Sequence, residues 1–112
     1  MKTEEIRTNI IDGGVTPEQV QTWKQRHGKV VSIEINDGDD CHIGYFHRPN
    51  LETMSAVAKI AKTDEMKSSE VIFDNCWLGG SPAIRHDAVL FIEATKQLGA
   101  MLNSCRSALK NL

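Results

Sequence analysis

The sequence predicts an α+β domain, a β-hairpin or small antiparallel sheet packed against about four helices, with a long helix at the C-terminal end. Three patterns predict it. Apolar and polar residues alternate over 31–35, a run of turn-forming residues follows at 36–40, and apolar residues recur at intervals of three and four in the second half of the chain.

Residues 1–15 mix Thr, Asn and Asp with Gly13-Gly14 around an isolated Ile10-Ile11 pair, which reads as a flexible arm or a docking strand preceding a single domain over 16–112. Thr16-Pro17-Glu18-Gln19 is a helix start: Thr16 caps, Pro17 suits the first turn, and Gln19 completes a capping box. Val20 and Trp23 share a face of this short helix, and Gly28 is placed to end it. From Val31 to Ile35 the apolar residues fall on one side of a strand. Asn36-Asp37-Gly38-Asp39-Asp40 is rich in residues that tolerate positive φ, so Cys41–His47 is expected to return as the second arm of a hairpin.

Arg48-Pro49 closes that strand, because a residue preceding proline is held in extended geometry. Asn50 caps a helix over 51–61 with Met54, Val57, Ile60 and Ala61 in one stripe. A second helix is expected from Asp64 or Glu65 to Leu78, broken by Gly79-Gly80-Ser81-Pro82. The final segment carries Leu90, Ala94, Leu98, Met101, Leu102, Cys105 and Leu109 at helical spacing and reads as one helix over 86–111. Such a helix is about 39 Å long, against the ~26 Å diameter implied by a ~13 Å radius of gyration, so part of its apolar stripe is expected to need a second chain. Gly99 marks a kink or a close helix crossing within it.

Composition bounds function. In 112 residues, 13 Lys+Arg against 15 Asp+Glu give a net charge of −2, which supplies no basic field for DNA or RNA. No apolar run is long enough to span a bilayer and the first residues lack a secretory pattern, so a cytoplasmic protein with no membrane partner is expected. Cys41, Cys76 and Cys105 are odd in number and form no CxxC, which argues for reduced thiols rather than a disulfide framework or zinc site.

Patterns with chemical potential resolve into structural ones. Asp37, Asp39 and Asp40 surround Gly38 in the wrong order for a calcium loop. Cys41, His42 and His47 are ligand types, but the two histidines sit five apart on a strand and point to opposite faces. Gly79-Gly80-Ser81 lacks the lysine and spacing of a phosphate loop. Trp23 and Trp77 are candidates for core or interface, and Arg48 for pairing with a helix carboxylate. Neither catalytic residues, cofactor nor metal ligands are therefore assigned.

Tyr45-Phe46-His47-Arg48-Pro49, a following helix, Ser69–Gly80 and a last helix together give a layout that resembles the tail assembly chaperones of tailed phages over about two-thirds of the chain. The resemblance implies a non-catalytic protein of the bacterial host cytoplasm that holds the tape-measure protein, or other tail proteins, during morphogenesis. Trp77, Leu98, Met101, Leu102 and Cys105 are the expected contact or core positions, with homo-oligomerisation through the last helix. Two alternatives stand beside it: a regulatory or adaptor protein of a mobile element, and a small enzyme using Cys41, His42 or His47.

Overall fold

The computed structural model describes residues 8–112, in which four strands and five helices follow one another as β1 (Asn9–Ile11), α1 (Pro17–His27), β2 (Val30–Asp37), β3 (Asp40–His47), α2 (Leu51–Ala61), α3 (Glu65–Cys76), β4 (Trp77–Gly80), α4 (Ala83–His86) and α5 (Ala88–Leu102). The chain is α+β, and its longest helix is the last.

Side-chain caps set the helix starts. The Thr16 hydroxyl accepts the Gln19 N–H at 3.2 Å while the Gln19 side chain accepts the Thr16 N–H at 2.8 Å, completing the capping box. Asn50 accepts from the Thr53 N–H, Asp64 from that of Lys67, and Asp87 from those of Val89 and Leu90. Asp37 pairs with Asp40, leaving Gly38-Asp39 as a two-residue turn with Gly38 at φ 62°, the positive φ that a tight hairpin needs at this position.

Strand register sorts the sheet into two faces. Val31 lies opposite Phe46, Ile33 opposite Gly44 and Ile35 opposite His42, so these six share one face, and Tyr45 and His47 look out from the other. The first face carries the core: Ile33, Ile35 and Phe46 pack with Ile72, Phe73 and Cys76 of α3, Ile84 of α4, and Leu90, Phe91, Ala94 and Leu98 of α5. On the second face α1 lies across the sheet, with Trp23 5.7 Å from Tyr45 and His27 stacked on His47. The result is a helix layer, a sheet and a second helix layer.

Several expectations are corrected. The sheet is mixed, not antiparallel throughout: β1 pairs in parallel with β3 at residues 40–42, and β4 pairs antiparallel with β3 at 44–46. Part of the 1–15 arm is thus in the sheet as β1, while residues 1–7 lie outside the described residues. α3 stops at Cys76 rather than Leu78, because Trp77 leaves the helix in extended geometry to stack on Phe73 at 5.3 Å and meet Phe46 edge-on at 5.4 Å. Gly79-Gly80 is consequently strand, not merely a helix stop. A Cβ on Gly80, at φ 137°, would run into the Ile43 carbonyl, so glycine is what lets β4 close on β3.

The last helix is the largest revision. α5 covers 15 residues, about 22 Å, in place of the expected 39 Å. Asp87 starts it, and at its end the Asn103 side chain donates to the Gly99 carbonyl while the Ser104 hydroxyl donates to that of Met101. Local side chains thereby take up the terminal carbonyls and the helix stops. Its buried stripe of Leu90, Phe91, Ala94 and Leu98 is covered within the subunit, so helix length no longer requires a second chain. Residues 102–112 are exposed, with Cys105 and Leu109 outside any helix. Gly99 has no neighbour within 4 Å of a Cβ position, so it marks no close crossing.

Candidate functional site

β4 is an edge strand, and a groove opens along that edge. This groove of about 460 Å³ is lined by Gly13, Val15, Gln19 and Trp23 on the α1 side, by Trp77, Leu78, Gly79 and Gly80 along β4, and by Phe73, Asp74, Pro82, Arg85 and His86 on the α3/α4 side. The sequence accounts for this placement: Thr16 and Pro17 fix where α1 begins, which brings the Trp23 ring 3.0 Å from the Cβ position of Gly79. A Cβ at residue 79 would press on that indole, and a larger side chain would push it further.

Among the described residues β4 pairs with β3 alone, so its outer side has no strand partner. Where β1 and β4 share the edge of β3, Gly13 lies against the Gly80 carbonyl, closely enough that a Cβ on Gly13 would collide with it. One end of the edge is therefore blocked by backbone, and the stretch from Trp77 to Gly79 faces the groove between two tryptophans.

The charged groups of the groove are already engaged. Arg85 Nε and Nη2 donate to the two carboxylate oxygens of Asp74 at 2.9 and 3.3 Å, with Glu70 3.9 Å away. Its guanidinium lies over the rings of Phe91 and Phe73 at 5.2 and 5.9 Å. The hydrogen bond to Asp74 raises the Arg85 pKa from its already high value, and the cation is permanent. Bidentate pairing at this exposure contributes about 0.5–1 kcal/mol. Its stronger consequence is positional, because it locks α4 against α3.

Among the described residues, every buried side-chain nitrogen or oxygen has a hydrogen-bond partner, and no group of three or more His, Cys, Asp or Glu side chains is arranged to hold a metal. Cys41, His42 and His47 do not converge. Cys41 and His42 are buried on opposite faces of β3, and the His42 Nδ1 is 2.8 Å from the Ser81 hydroxyl. That pair resembles a nucleophile and base only on paper. Ser81 is completely buried, its N–H donates to the Ile43 carbonyl and its carbonyl accepts from Ile84, so the contact ties β3 to the start of α4. His47 stands at the other end of β3, its Nδ1 2.7 Å from the Arg48 carbonyl. Burial pushes the Cys76 thiol up to about 11, which keeps it protonated and unreactive at neutral pH.

The five expected contact or core positions separate. Trp77 lines the groove, Leu98 is 1% exposed in the core, Met101 is half-buried beside β2, Leu102 is 41% exposed, and Cys105 lies on the exposed C-terminal arm. They do not make one surface. Of the groove residues, Gly79 was read from sequence as a helix stop, and Asp74 and Arg85 were not singled out. The signal for Gly79 was present in Trp77-Leu78-Gly79-Gly80, which follows a helix and can be read as a short strand. The pairing of Asp74 with Arg85 spans a helix end, a strand and a turn, and has no local pattern.

No family model matches this chain, and no curated protein matches it. Among solved structures it is similar to an uncharacterised protein, rbstp2171, from Bacillus stearothermophilus, with a TM-score of 0.59 at 16% identity over 82% of this chain and 99% of that one. At that identity the likeness is one of fold. No helix among the described residues is long and apolar enough to cross a membrane.

Proposed function

We propose that this chain is a non-catalytic protein-binding module that takes an extended stretch of a partner chain into the groove beside β4. The observation that carries the reading is the edge of β4: from Trp77 to Gly79 it has no strand partner among the described residues and runs between walls supplied by both helix layers. Main-chain hydrogen bonds to such an edge give affinity, and flanking apolar pockets select side chains. Trp23, Trp77 and Phe73 supply those walls, and Trp and Tyr dominate the energetics of protein interfaces. Arg85 and Asp74 satisfy each other, which favours a neutral, apolar segment over an anionic one.

The specific form of the proposal is a tail assembly chaperone-like role, with a segment of the tape-measure protein as the occupant. Its support is the sequence likeness at Tyr45–Pro49 and Ser69–Gly80, joined now to a surface suited to an extended chain. Both tryptophans of the chain line the groove, so intrinsic fluorescence reports occupancy directly. Peptides tiled along the tape-measure protein of the same genome, titrated into the full chain, are expected to shift the emission, and Gly79→Val is expected to abolish the shift by pushing Trp23 into the groove. Loss of the tail-specific assignment follows if no tiled peptide shifts emission but an unrelated apolar extended peptide does. The binding-module reading itself fails if neither does.

A further inference from the structure

A second apolar surface adjoins the groove across Arg85 and His86 and has a complement within the same chain. Between α3 and α5, Met66, Ala88, Phe91 and Ile92 line a cleft of about 230 Å³ with Glu70, Arg85 and His86 at its border. Met66 and Ile92 are 53% and 45% exposed, and Val89, one turn before Ile92 on α5, is also exposed. Three large apolar side chains near one cleft, all in water, exceed the scattered single exposures normal for a surface.

The complement is the arm over residues 103–112, Asn-Ser-Cys-Arg-Ser-Ala-Leu-Lys-Asn-Leu. Every residue of it is exposed, including Leu109 and Leu112, which sit on either side of Lys110. The arm carries Arg106 and Lys110 and no Asp or Glu. The surface from Asp64 to Leu102 is acidic, with Asp64, Glu65, Glu70, Asp74, Asp87 and Glu93 against Lys67, Arg85 and Lys96. At the cleft's border Glu70 is 3.9 Å from Arg85, whose guanidinium is held more closely by Asp74 at 2.9 Å, so Glu70 is the lining carboxylate left to meet a further cation. An arm of leucines and cations thus matches a cleft of apolar side chains bordered by the Glu70 carboxylate.

The geometry points to exchange of this arm between two copies of the chain, residues 103–112 of each entering the α3/α5 cleft of the other. The arm leaves the C-terminal end of α5, whereas the cleft is at the N-terminal end of that helix, about 15 Å back along its axis. To reach its own cleft the arm must reverse at once and run back beside α5. Across a two-fold axis it continues forward, and both copies bury the same pair of surfaces. This dimer differs from the one expected from an overlong helix: α5 itself stays inside its own subunit, and the arm does the joining. The cleft meets the β4 groove at Arg85 and His86, and its test reads mass, not peptide binding.

Light scattering on the full chain at tens of micromolar tests the exchange. The expected mass is twice the 12.5 kDa of one chain. A Leu109→Asp/Leu112→Asp chain, altered only at exposed positions, is expected to run at half that mass, as is a Met66→Asp chain with an unchanged circular dichroism spectrum; Ile92→Asp replaces the latter if it misfolds. Mixing the arm variant with the cleft variant is expected to restore a weaker dimer, because the intact arm of one enters the intact cleft of the other and one of the two exchange contacts forms. A monomeric unaltered chain overturns the proposal, with the arm free or folded back, and so does a dimer that survives the arm substitutions. A mixture that shows no association even at several-fold higher concentration overturns it as well.

Discussion

The imidazole rings of His27 and His47 are parallel to within 3° with centroids 4.3 Å apart, and they join the last turn of α1 to the last residue of β3. Desolvation, then the charge of His47, then that of Arg26 hold the His27 pKa below its ordinary value of 6.5. In the window below 6.5 the unfolded chain therefore binds more protons at this site than the folded chain does. The site does not weaken the fold above 6.5, and stability is lost as pH falls through that window. Urea midpoints measured between pH 7.5 and 5 are expected to fall, with a shallower slope in His47→Gln, where one of the causes is removed. An identical slope in the variant would remove His47 from the account.

Ser81→Ala is expected to cost about 1–3 kcal/mol, since it strips the partner from the buried His42 ring. His42→Leu in the same background should cost less than in the unaltered chain, because the orphaned ring is gone. Equilibrium unfolding of the four chains in this cycle gives the coupling directly.

Two glycines are expected to respond with opposite sign. Gly80→Ala places a methyl against the Ile43 carbonyl at φ 137° and should destabilise by about 3 kcal/mol or more, from backbone strain and displaced pairing together. Gly99→Ala fills open space inside α5 and should stabilise by roughly 0.5–1 kcal/mol. Thermal unfolding is enough to read both.

Leu98 and Leu102 lie one helical turn apart and should differ sharply. Leu98→Ala opens the core between α5 and the sheet and is expected to cost about 2–5 kcal/mol. Leu102→Ala, at an exposed position on the last turn, is expected to stay within about 0.5 kcal/mol. Equal effects in denaturant titrations would mean that the end of α5 is covered.

The thiols make a third contrast. Cys41 and Cys76 are buried and Cys105 is exposed, so a thiol reagent at pH 7.5 is expected to modify one cysteine per native chain and three in denaturant. Fast modification of a second thiol in the native chain would show local opening around α3 or β3.

Much of the fold was legible because its signals are local. Thr16 to Gln19, the alternation from Val31 to Ile35 and the turn at Gly38 each determine structure within a few residues, and all are realised as read. The errors lie where long-range packing overrides pattern. Trp77 leaves α3 because Phe46 and Phe73 offer its indole more contact than another helical turn does. The periodicity after residue 102 continues on paper, yet Asn103 and Ser104 spend their side chains on the final carbonyls of α5. The groove was nearly invisible, since it depends on α1 and α4 meeting across an edge strand that sequence reading took for a helix stop. Trp77 alone of the expected contact positions borders it.

β3 is paired on one side by its hairpin neighbour and on the other by β1 and, from much later in the chain, by β4. During translation the hairpin emerges some 33 residues before Gly80, which at ribosomal rates of about 5–20 residues per second is a delay of roughly 2–7 s. For that interval residues 44–46 of the nascent chain offer an uncompleted strand, with Phe46 still awaiting Trp77. Slower decoding between codons 48 and 80 would lengthen the exposure, so the yield of soluble protein should depend on synonymous codon choice in this stretch more than in the stretch encoding α5.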